Sequence, residues 1–132
     1  MKVHHQVRYL LENSSTFLIS TIDSRNFPTT IVVSSPIKKE GLQHLEFYLN
    51  GGGETAENIV KRKKGAVCCY LEKGHSSLVL KGNFTLRKFT LEDQKFLNAY
   101  QDFLHHSDPV IAMFDTMVCK IHVEGQTRSF IF

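Results

Sequence analysis

A long apolar run is missing from the sequence. In its 132 residues, apolar residues never follow one another for the roughly 18 positions that a membrane-spanning helix needs. The opening residues, MKVHHQVRYLLEN, also lack the apolar core of a secretory signal. We therefore predict a protein that does not enter a membrane and that resides in the cytoplasm.

Cysteine is scarce as well. The three cysteines, Cys68, Cys69 and Cys119, all lie in apolar runs and have no spacing suited to zinc. An odd number of such residues is typical of buried, reduced thiols in a reducing compartment. The adjacent histidines of the pairs His4–His5 and His105–His106 are poorly placed to ligate one ion together on a helix. The sequence therefore predicts no metal site.

A strong excess of one charge is also absent, since the net charge is only +3 with neutral histidines. Four basic residues do follow one another at 61–64, but they lie at the end of a predicted helix, where cations complement the helix dipole. No aromatic-rich basic strand accompanies them to stack nucleic-acid bases. The sequence therefore does not predict a nucleic-acid partner.

The common signatures of hydrolases are missing too. The sequence contains no Gly-x-Ser-x-Gly motif and no pair of carboxylates spaced for acid–base catalysis. No side chain can therefore be assigned as a catalytic acid, base or nucleophile, and the catalytic residues stay unknown.

What the sequence does contain is a succession of short apolar patterns joined by turn residues. They predict one α+β domain over residues 1–132, because no segment repeats and no linker divides the chain. The predicted strands cover 15–22, 29–35, 42–50, 66–72, 77–89, 117–123 and 127–132, and the predicted helices cover 3–12, 54–64 and the residues from Thr90 to 104. Six or seven short strands, mostly joined in hairpins, are typical of a barrel or a sandwich.

Two of these strands allow more detailed predictions. In strand 42–50, apolar residues alternate with polar or aromatic ones, which suits a half-buried strand. In strand 77–89, Gly82 interrupts an otherwise apolar face. We expect a bulge at Gly82, or a neighbouring backbone that approaches closely.

The stretch NGGGETAENI, residues 50–59, places three glycines directly before a predicted helix. The backbone N–H groups of such a loop, together with the positive end of the helix, favour a bound phosphate. Glu54, however, occupies a place where a phosphate site would have a cation. Two interpretations stay open: a phosphate-binding loop, or a turn and helix N-cap that bind no ligand.

Three stretches, LISTIDSRNFPTT, FYLNGGGETAENIV and LVLKGNFTLRKF, follow one another in an order and spacing that resemble the pyridoxamine 5′-phosphate oxidase-like family of flavin-binding split barrels. The resemblance covers about residues 5–123. It implies a mainly β fold with helices, namely a six-stranded Greek-key split β-barrel of the FMN-binding type. It also implies a homodimer that holds FMN in a groove at the interface, where both chains touch it.

The resemblance implies which residues contact FMN. The flavin ring and ribityl chain would lie along one strand, largely beside its backbone groups, and the phosphate would lie at the end of the next strand and in the glycine loop. A polar residue from a neighbouring strand would complete the site. Carried over to this sequence, these residues are Thr30, Ile31, Val32, Val33, Ser34 and Ser35 on the strand, Tyr48 and Leu49 at the end of the next strand, Gly53, Glu54 and Thr55 in the loop, and Ser77 on the neighbouring strand.

The sequence departs from this family around the phosphate. Family members usually have a hydroxyl residue at the position of Leu49, and a triplet such as Ser-Arg-Lys at the positions 53–55. Like charges about 4 Å apart repel by on the order of 4 kcal/mol at an effective dielectric constant of 20. We therefore expect FMN to bind if Glu54 turns toward solvent and a cation from elsewhere in either chain helps. The candidates for that cation are Arg25, Lys38, Lys81 and Arg128.

By the same resemblance, the expected function is that of an FMN-dependent oxidoreductase, in which the flavin ring accepts a hydride and passes electrons on. Pyridoxamine 5′-phosphate oxidase activity itself is not expected, because the chain stops at RSFIF without that enzyme's extended, arginine-bearing C-terminal region. Two alternatives stay open. One is a non-catalytic carrier or sensor of a flavin or a tetrapyrrole, and the other is a barrel that has lost its cofactor and serves as an interaction domain.

Overall fold

The computed structural model describes residues 2–132, with side chains from residue 5 onward. Met1 and the side chain of His4, which belong to the predicted domain and to the first histidine pair, lie outside this described part. In order, the elements are α1 (Lys2–Asn13), β1 (Thr16–Ile22), β2 (Pro28–Ser34), β3 (Lys38–Glu40), β4 (His44–Asn50), α2 (Glu54–Lys61), β5 (Lys64–Leu71), β6 (Ser76–Lys88), α3 (Leu91–Gln94), α4 (Ala99–Leu104), β7 (Pro109–Val123) and β8 (Gln126–Ile131). The short strand β3 was not predicted.

The strands form one antiparallel sheet that curves back on itself. Neighbouring strands follow the order β2-β1-β5-β6-β7-β4-β3, and β8 pairs with the second half of β7. The two ends of this order, β2 and β3, are consecutive in the chain. Between them, the backbone N–H of Ile37 donates to the carbonyl of Glu46 at 2.8 Å. With β2 and β3 counted as one bent strand, six strands surround the core, which confirms the predicted split barrel.

Aromatic side chains fill the interior of the barrel. Phe17, Phe47, Phe84 and Phe114 are fully buried. The ring centroids of Phe84 and Phe114 lie 4.7 Å apart, and those of Phe17 and Phe47 lie 5.9 Å apart, within the range of favourable aromatic pairs. The strands that carry these residues are therefore held together from inside.

Two helices complete this core. In α1, Val7 and Leu10 are buried, at the helical spacing that the sequence shows. In α2, Ala56 and Ile59 are buried, and the side chain of Asn58 donates to the hydroxyl of Thr21 on β1 at 3.1 Å. These contacts fix α2, which directly follows the glycine loop, against the barrel.

The expected irregularity at Gly82 is present. The pairing of β6 with β7 shifts register between Lys81 and Gly82. A Cβ atom at Gly82 would lie 2.0 Å from the carbonyl oxygen of Asp115, so only glycine lets the two backbones come this close.

The prediction for β4 was wrong in one respect. We expected a half-buried strand, but both of its faces are covered, because Glu46 and Tyr48 are only 5% and 9% exposed. Their cover comes from Arg87 on β6 and from the segment between β6 and β7. Alternation along β4 indicated its inner face correctly but could not show that another segment lies over its outer face.

The segment between β6 and β7 also differs from the prediction. The capping box at Thr90 and Asp93 is present, but two short helices follow instead of one, because Asn98 and Gln101 form a second capping box. β7 begins at Pro109 rather than at residue 117, as proline is tolerated at the first position of a strand. The barrel consequently has one strand of 15 residues that pairs with three others.

Candidate functional site

The outer surface of the barrel is covered unevenly. The segment 89–108 lies over β4, whereas the outward side chains of β2, the second half of β7 and β8 stay exposed. Val32, Met117 and Ile131 are 69%, 48% and 81% exposed. An apolar surface of this kind is typical of an interaction or ligand site.

β2 is an edge strand on this uncovered surface. One of its edges pairs with β1, and its other edge pairs with no described strand. By the alternation of a strand, Thr30, Val32 and Ser34 point outward, while Ile31 and Val33 pack against the core. Five of the six predicted residues of this segment therefore divide into an outer and an inner set, and Ser35 lies just beyond the strand.

Two of these residues have fixed hydroxyl groups. The hydroxyl of Thr30 lies 2.8 Å from that of Ser20 on β1. The hydroxyl of Ser35 donates to the carbonyl of Ser14 at 3.3 Å, which ties the end of β2 to the turn after α1. Thr30 therefore lies on the outer surface with its hydroxyl beside that of Ser20, whereas the hydroxyl of Ser35 holds the end of β2 in place.

Beside Thr30, a groove crosses the outer surface of β1, β5, β6 and β7. We name it the outer groove. Its volume is about 440 Å³, within the range of roughly 300–1,000 Å³ of small-molecule sites. It is lined by Ser20, Thr21, Ile22, Lys64, Gly65, Ala66, Lys81, Gly82, Asn83, Met117 and Val118. Lys81 was one of the four candidate cations, but none of the twelve predicted FMN contacts lines the groove.

The glycine loop uses its own N–H groups internally. The N–H of Gly51 donates to the carbonyl of Asp108 at 2.6 Å, and that of Gly53 donates to the carbonyl of Asn50 at 3.1 Å. The N–H of Gly52 donates to the side-chain oxygen of Asn50 at 3.1 Å. The three glycine N–H groups are therefore not aimed at a ligand.

Three donors at the start of α2 remain. No described group accepts a hydrogen bond from the N–H of Glu54, Thr55 or Ala56, as is usual for the first turn of a helix. Glu54 is exposed and Thr55 is buried. The exposure of Glu54 meets the condition under which the loop could still accept an anion, and Thr55 lies in the first turn of the helix.

The charge around the loop is negative. Glu54 and Glu57 lie in the first turn of α2. Asp108 lies against the loop as well, since a Cβ at Gly51 would be 2.7 Å from its carboxylate. This arrangement complements the helix dipole but opposes a phosphate.

Of the other predicted residues, Tyr48 and Leu49 lie at the end of β4, just before the loop, and Ser77 lies apart from both the loop and β2. Leu49 belongs to the core, and the ring of Tyr48 is covered by Phe89 and His106, with centroid distances of 5.4 and 5.1 Å. Ser77 lies on β6, three strands away from β2, which is about 14 Å at the usual strand spacing. Within the described residues of one chain, the predicted FMN contacts are therefore not gathered around one common pocket.

A charged cluster on the outside of β4, β6 and α3 was missed by the sequence analysis. Arg87 donates to both carboxylate oxygens of Asp93 and to Glu46, each at 2.7 Å. His44 lies 2.7 Å from Glu46 and 2.8 Å from Asp115. The cluster joins α3 to the barrel, and the only sequence signal for it was the capping box.

The cluster shifts the pKa values of its members. The hydrogen bonds from Arg87 lower the pKa of Asp93 to about 2, against the effect of burial. Burial alone would raise the pKa of Glu46, but its hydrogen bonds with Arg87 and His44 lower it. The hydrogen bond with Asp115 raises the pKa of His44. These groups stabilise one another's charged forms, which suits a structural role.

The thiols and the remaining cations have ordinary surroundings. Burial raises the pKa of Cys69 and of Cys119 to about 11, as expected of packing residues. Among the described residues, no group of three or more histidine, cysteine or acidic side chains is placed to bind a metal ion.

The basic run 61–64 is partly neutralised within the chain. Lys61 pairs with Glu57 at 2.9 Å, and Arg62 donates to the carbonyl of Asp23. No helix in the described part of the chain is long and apolar enough to cross a membrane.

Neither a protein-family model nor a curated protein matches the sequence. Solved structures do match the fold. One is a protein from Clostridium acetobutylicum, related to general stress protein 26 of B. subtilis and described as of the pyridoxinephosphate oxidase family. It has a TM-score of 0.86 and 14% identity, over 99% of this chain and 95% of that one.

Two further structures carry descriptions of a bound group. A pyridoxamine 5′-phosphate oxidase-related, FMN-binding protein from Nostoc punctiforme has a TM-score of 0.70 and 9% identity, over 99% of this chain and 94% of that one. A heme-binding protein from Mycobacterium smegmatis has a TM-score of 0.78 and 11% identity, over 97% of this chain and 57% of that one. The chain therefore has the split-barrel fold of pyridoxamine 5′-phosphate oxidase-like proteins.

Proposed function

We propose that this protein binds FMN on the uncovered outer surface of its barrel and acts as an FMN-dependent oxidoreductase in the cytoplasm. The fold supports this proposal, because it is shared with a protein described as FMN-binding. The resemblance of the sequence to the same family points to the same cofactor.

The observation that carries the proposal is the free edge of β2. An unpaired strand edge presents a row of backbone N–H and C=O groups. A flavin ring has a polar edge with donors and acceptors that such a row can pair with, and it has apolar faces that pack on side chains. Thr30, Val32 and Ser34 point out from this strand, and its outer edge has no described partner.

The phosphate of FMN is assigned to the start of α2. Gly53, Glu54 and Thr55 follow the end of β4, where Tyr48 and Leu49 lie. The remaining donors are the backbone N–H groups of the first helical turn and the hydroxyl of Thr55. Because Glu54 and Asp108 are negative, we expect this end of the site to bind phosphate less strongly than a loop that contains arginine and lysine.

A second copy of the chain would complete the site. Val32 on β2 and Ile131 and Phe132 at the C-terminus stay exposed, although apolar residues of this size are usually covered. A homodimer that buries this surface would bring a partner chain against the flavin. The protein's own contribution would be to orient the ring and to exclude water, while the flavin supplies the electron transfer.

A tetrapyrrole is the second candidate. The structure from Mycobacterium smegmatis that shares the fold is described as heme-binding. Of the residues that line the outer groove, none is a histidine or a cysteine, and Met117 is the one soft donor. This lining does not favour an iron-ligating tetrapyrrole in the outer groove.

The visible spectrum of the purified protein, followed by titration with FMN, tests the proposal. We expect the absorption bands of oxidised flavin, or quenching of FMN fluorescence on addition of protein, with saturation at one FMN for each chain. A Soret band would support the tetrapyrrole. A colourless protein that fails to quench FMN would contradict the proposal and support a barrel without a cofactor.

A further inference from the structure

A cavity between α1 and the β3–β4 turn is separate from the outer groove, and we name it the α1 cavity. Its volume is about 440 Å³, within the range of roughly 300–1,000 Å³ of small-molecule sites. Its lining combines charged and apolar groups, namely Arg8, Leu11, Glu12, Lys39, Gly41 and Leu42. None of the twelve predicted FMN contacts is among these residues, so the proposed flavin site does not account for the cavity.

Helix α1 contributes one charge of each sign to the cavity. Arg8 and Glu12 are four residues apart, so they are neighbours on the helix surface, and both line the cavity. Among the described side chains, the two form no ion pair with each other. The cation precedes the carboxylate, which is the less favourable order for a pair at this spacing. Both charges are therefore available to a ligand in the cavity.

The position of Glu12 on the helix favours a cationic ligand group. Glu12 lies in the last turn of α1, which ends at Asn13 and contains no basic residue. A carboxylate at this end of a helix faces the negative pole of the helix dipole, which is unfavourable. An ammonium group bound to Glu12 would offset this repulsion.

Lys39 supplies a second cation, from the opposite wall of the cavity. In the pairing of β3 with β4, Lys39 is opposite Leu45, which is fully buried in the barrel. Residues opposite each other share one face of a sheet, so Lys39 points to the inner face, toward α1. Lys38 and Glu40 point to the other face, where they pair with each other at 3.6 Å. Lys39 is therefore directed into the cavity.

The apolar part of the lining is formed by Leu11 and Leu42. Leu11 is buried, and Leu42 packs against the core. A Cβ at Gly41, next to Leu42, would meet no described atom within 4 Å, so the turn leaves the cavity open on this side. An apolar side chain of a ligand fits against the two leucines.

We infer that the α1 cavity binds a free α-amino acid with an apolar side chain. Arg8 and Lys39 hold its carboxylate, Glu12 holds its ammonium group, and Leu11 and Leu42 contact its side chain. A simple acid would be repelled by Glu12, and a simple amine would be repelled by Arg8 and Lys39, whereas a zwitterion is attracted by all three. This site goes beyond the proposed function and does not depend on a flavin.

Isothermal titration calorimetry with three related ligands tests the inference. L-leucine has both charged groups, N-acetyl-L-leucine lacks the ammonium group, and L-leucinamide lacks the carboxylate. We expect the wild-type protein to bind L-leucine at least about tenfold more tightly than either derivative. In the double variant Arg8→Gln/Lys39→Gln, the preference over the amide should be lost. In Glu12→Gln, the preference over the N-acetyl derivative should be lost.

Lys38→Gln is the matched control for Lys39, because Lys38 is the preceding residue of the same strand but points to the other face. It should change each affinity by less than about twofold. Arg8, Glu12 and Lys39 are exposed, so we expect their variants to fold with melting temperatures within a few degrees of the wild type. The inference is overturned if neither L-leucine nor L-phenylalanine binds, if the three related ligands bind alike, or if the charge variants keep the wild-type preferences.

Titration with FMN gives an independent result. Because none of the predicted FMN contacts lines the α1 cavity, Arg8→Gln/Lys39→Gln should bind FMN as the wild type does. If FMN never binds but L-leucine binds as expected, the proposed function fails and this inference stands. Loss of FMN binding in the double variant alone would place the flavin phosphate in the α1 cavity and overturn the inference.

Discussion

At the scale of single residues, Gly82 is the glycine with the least space for a side chain. Its missing side chain lets the carbonyl of Asp115 approach to a point 2.0 Å from where a Cβ would be. We expect Gly82→Val to lower the free energy of unfolding by about 2 kcal/mol or more, because β6 and β7 must separate to make room.

Gly52 provides the control for this substitution. A Cβ there would meet only the side-chain oxygen of Asn50, at 3.7 Å, so Gly52→Ala should change stability by less than about 0.5 kcal/mol. Urea denaturation of both variants measures the difference. Equal stabilities would show that the close approach at Gly82 does not matter.

Glu54 is the residue that opposes a phosphate on the glycine loop. Glu54→Arg, followed by Thr55→Lys, would replace a repulsion with an attraction beside three free N–H groups. We expect the affinity for FMN to rise by at least about tenfold, or 1.4 kcal/mol, and the affinity for riboflavin to stay nearly constant, because riboflavin has no phosphate.

The same charge change at Glu72, an exposed residue of the β5–β6 turn, serves as the control and should leave both affinities unaltered. If FMN and riboflavin respond alike to the changes at 54 and 55, the loop is a turn that does not contact the phosphate.

His44 makes stability depend on pH. The hydrogen bond with Asp115, and next that with Glu46, raises its pKa above the ordinary value of about 6.5, although burial opposes this. The protonated imidazole therefore stabilises the folded state fully below about pH 6.5, and this stabilisation is lost as the pH rises through the raised pKa.

His44→Gln should accordingly reduce the loss of unfolding free energy between about pH 6 and pH 8.5, as measured by urea denaturation. His5→Gln, at an exposed position of α1, should leave the pH profile of the wild-type protein unchanged. A His44→Gln profile that parallels the wild type would exclude a charged His44 from the cluster.

At the scale of elements, α3 depends on one carboxylate. Asp93 accepts two hydrogen bonds from Arg87 at 2.7 Å and one from the backbone N–H of Thr90 at 2.8 Å, and it is 6% exposed. Asp93→Ala would remove two charge-assisted hydrogen bonds from Arg87, which would keep Glu46 as its carboxylate partner, and it would also remove the bond that caps the N-terminus of α3. We expect a loss of about 3 kcal/mol, measured by thermal or urea unfolding.

Glu92 is the matched control, because it is an exposed carboxylate of the same helix whose ion pair with Lys95 is at the surface. Glu92→Ala should cost less than about 1 kcal/mol. Similar losses in the two variants would show that the cluster around Arg87 does not hold α3.

Elements with a strong internal pattern were predictable from the sequence. α1 and β6 have regular apolar spacing, and their bounds agree with the prediction to within a residue or two. The sequence analysis missed the first half of β7, because Pro109, the first residue of this strand, equally indicates the end of the preceding helix. The cover over Tyr48 was missed because it comes from residues 89–108, about 40 positions further along the chain.

The candidate site was less predictable than the fold. Family resemblance supplied β2 and the glycine loop, but it could not show that the glycine N–H groups bond within the loop and to Asp108. The outer groove has no local signature, because its lining comes from four strands whose register only the folded sheet defines. Lys64 and Lys81 are 17 positions apart in the sequence, and only the pairing of β5 with β6 brings them together.

At the scale of the whole molecule, the exposed apolar surface and the free edge of β2 belong together. Both are explained if two chains associate with a flavin between them. An exposed edge strand that carries Val32 would otherwise be an aggregation hazard. Dimer formation and flavin binding should therefore be followed together in one experiment.

Sedimentation velocity of the FMN-loaded protein, recorded in the ultraviolet and at the visible absorption band of oxidised flavin, makes that measurement. We predict one boundary that carries both signals at a mass of about 30 kDa, twice the 15.1 kDa of the chain, at micromolar protein. A protein boundary at 15.1 kDa with the flavin signal left behind as free ligand would contradict the account of a dimeric flavin-binding barrel.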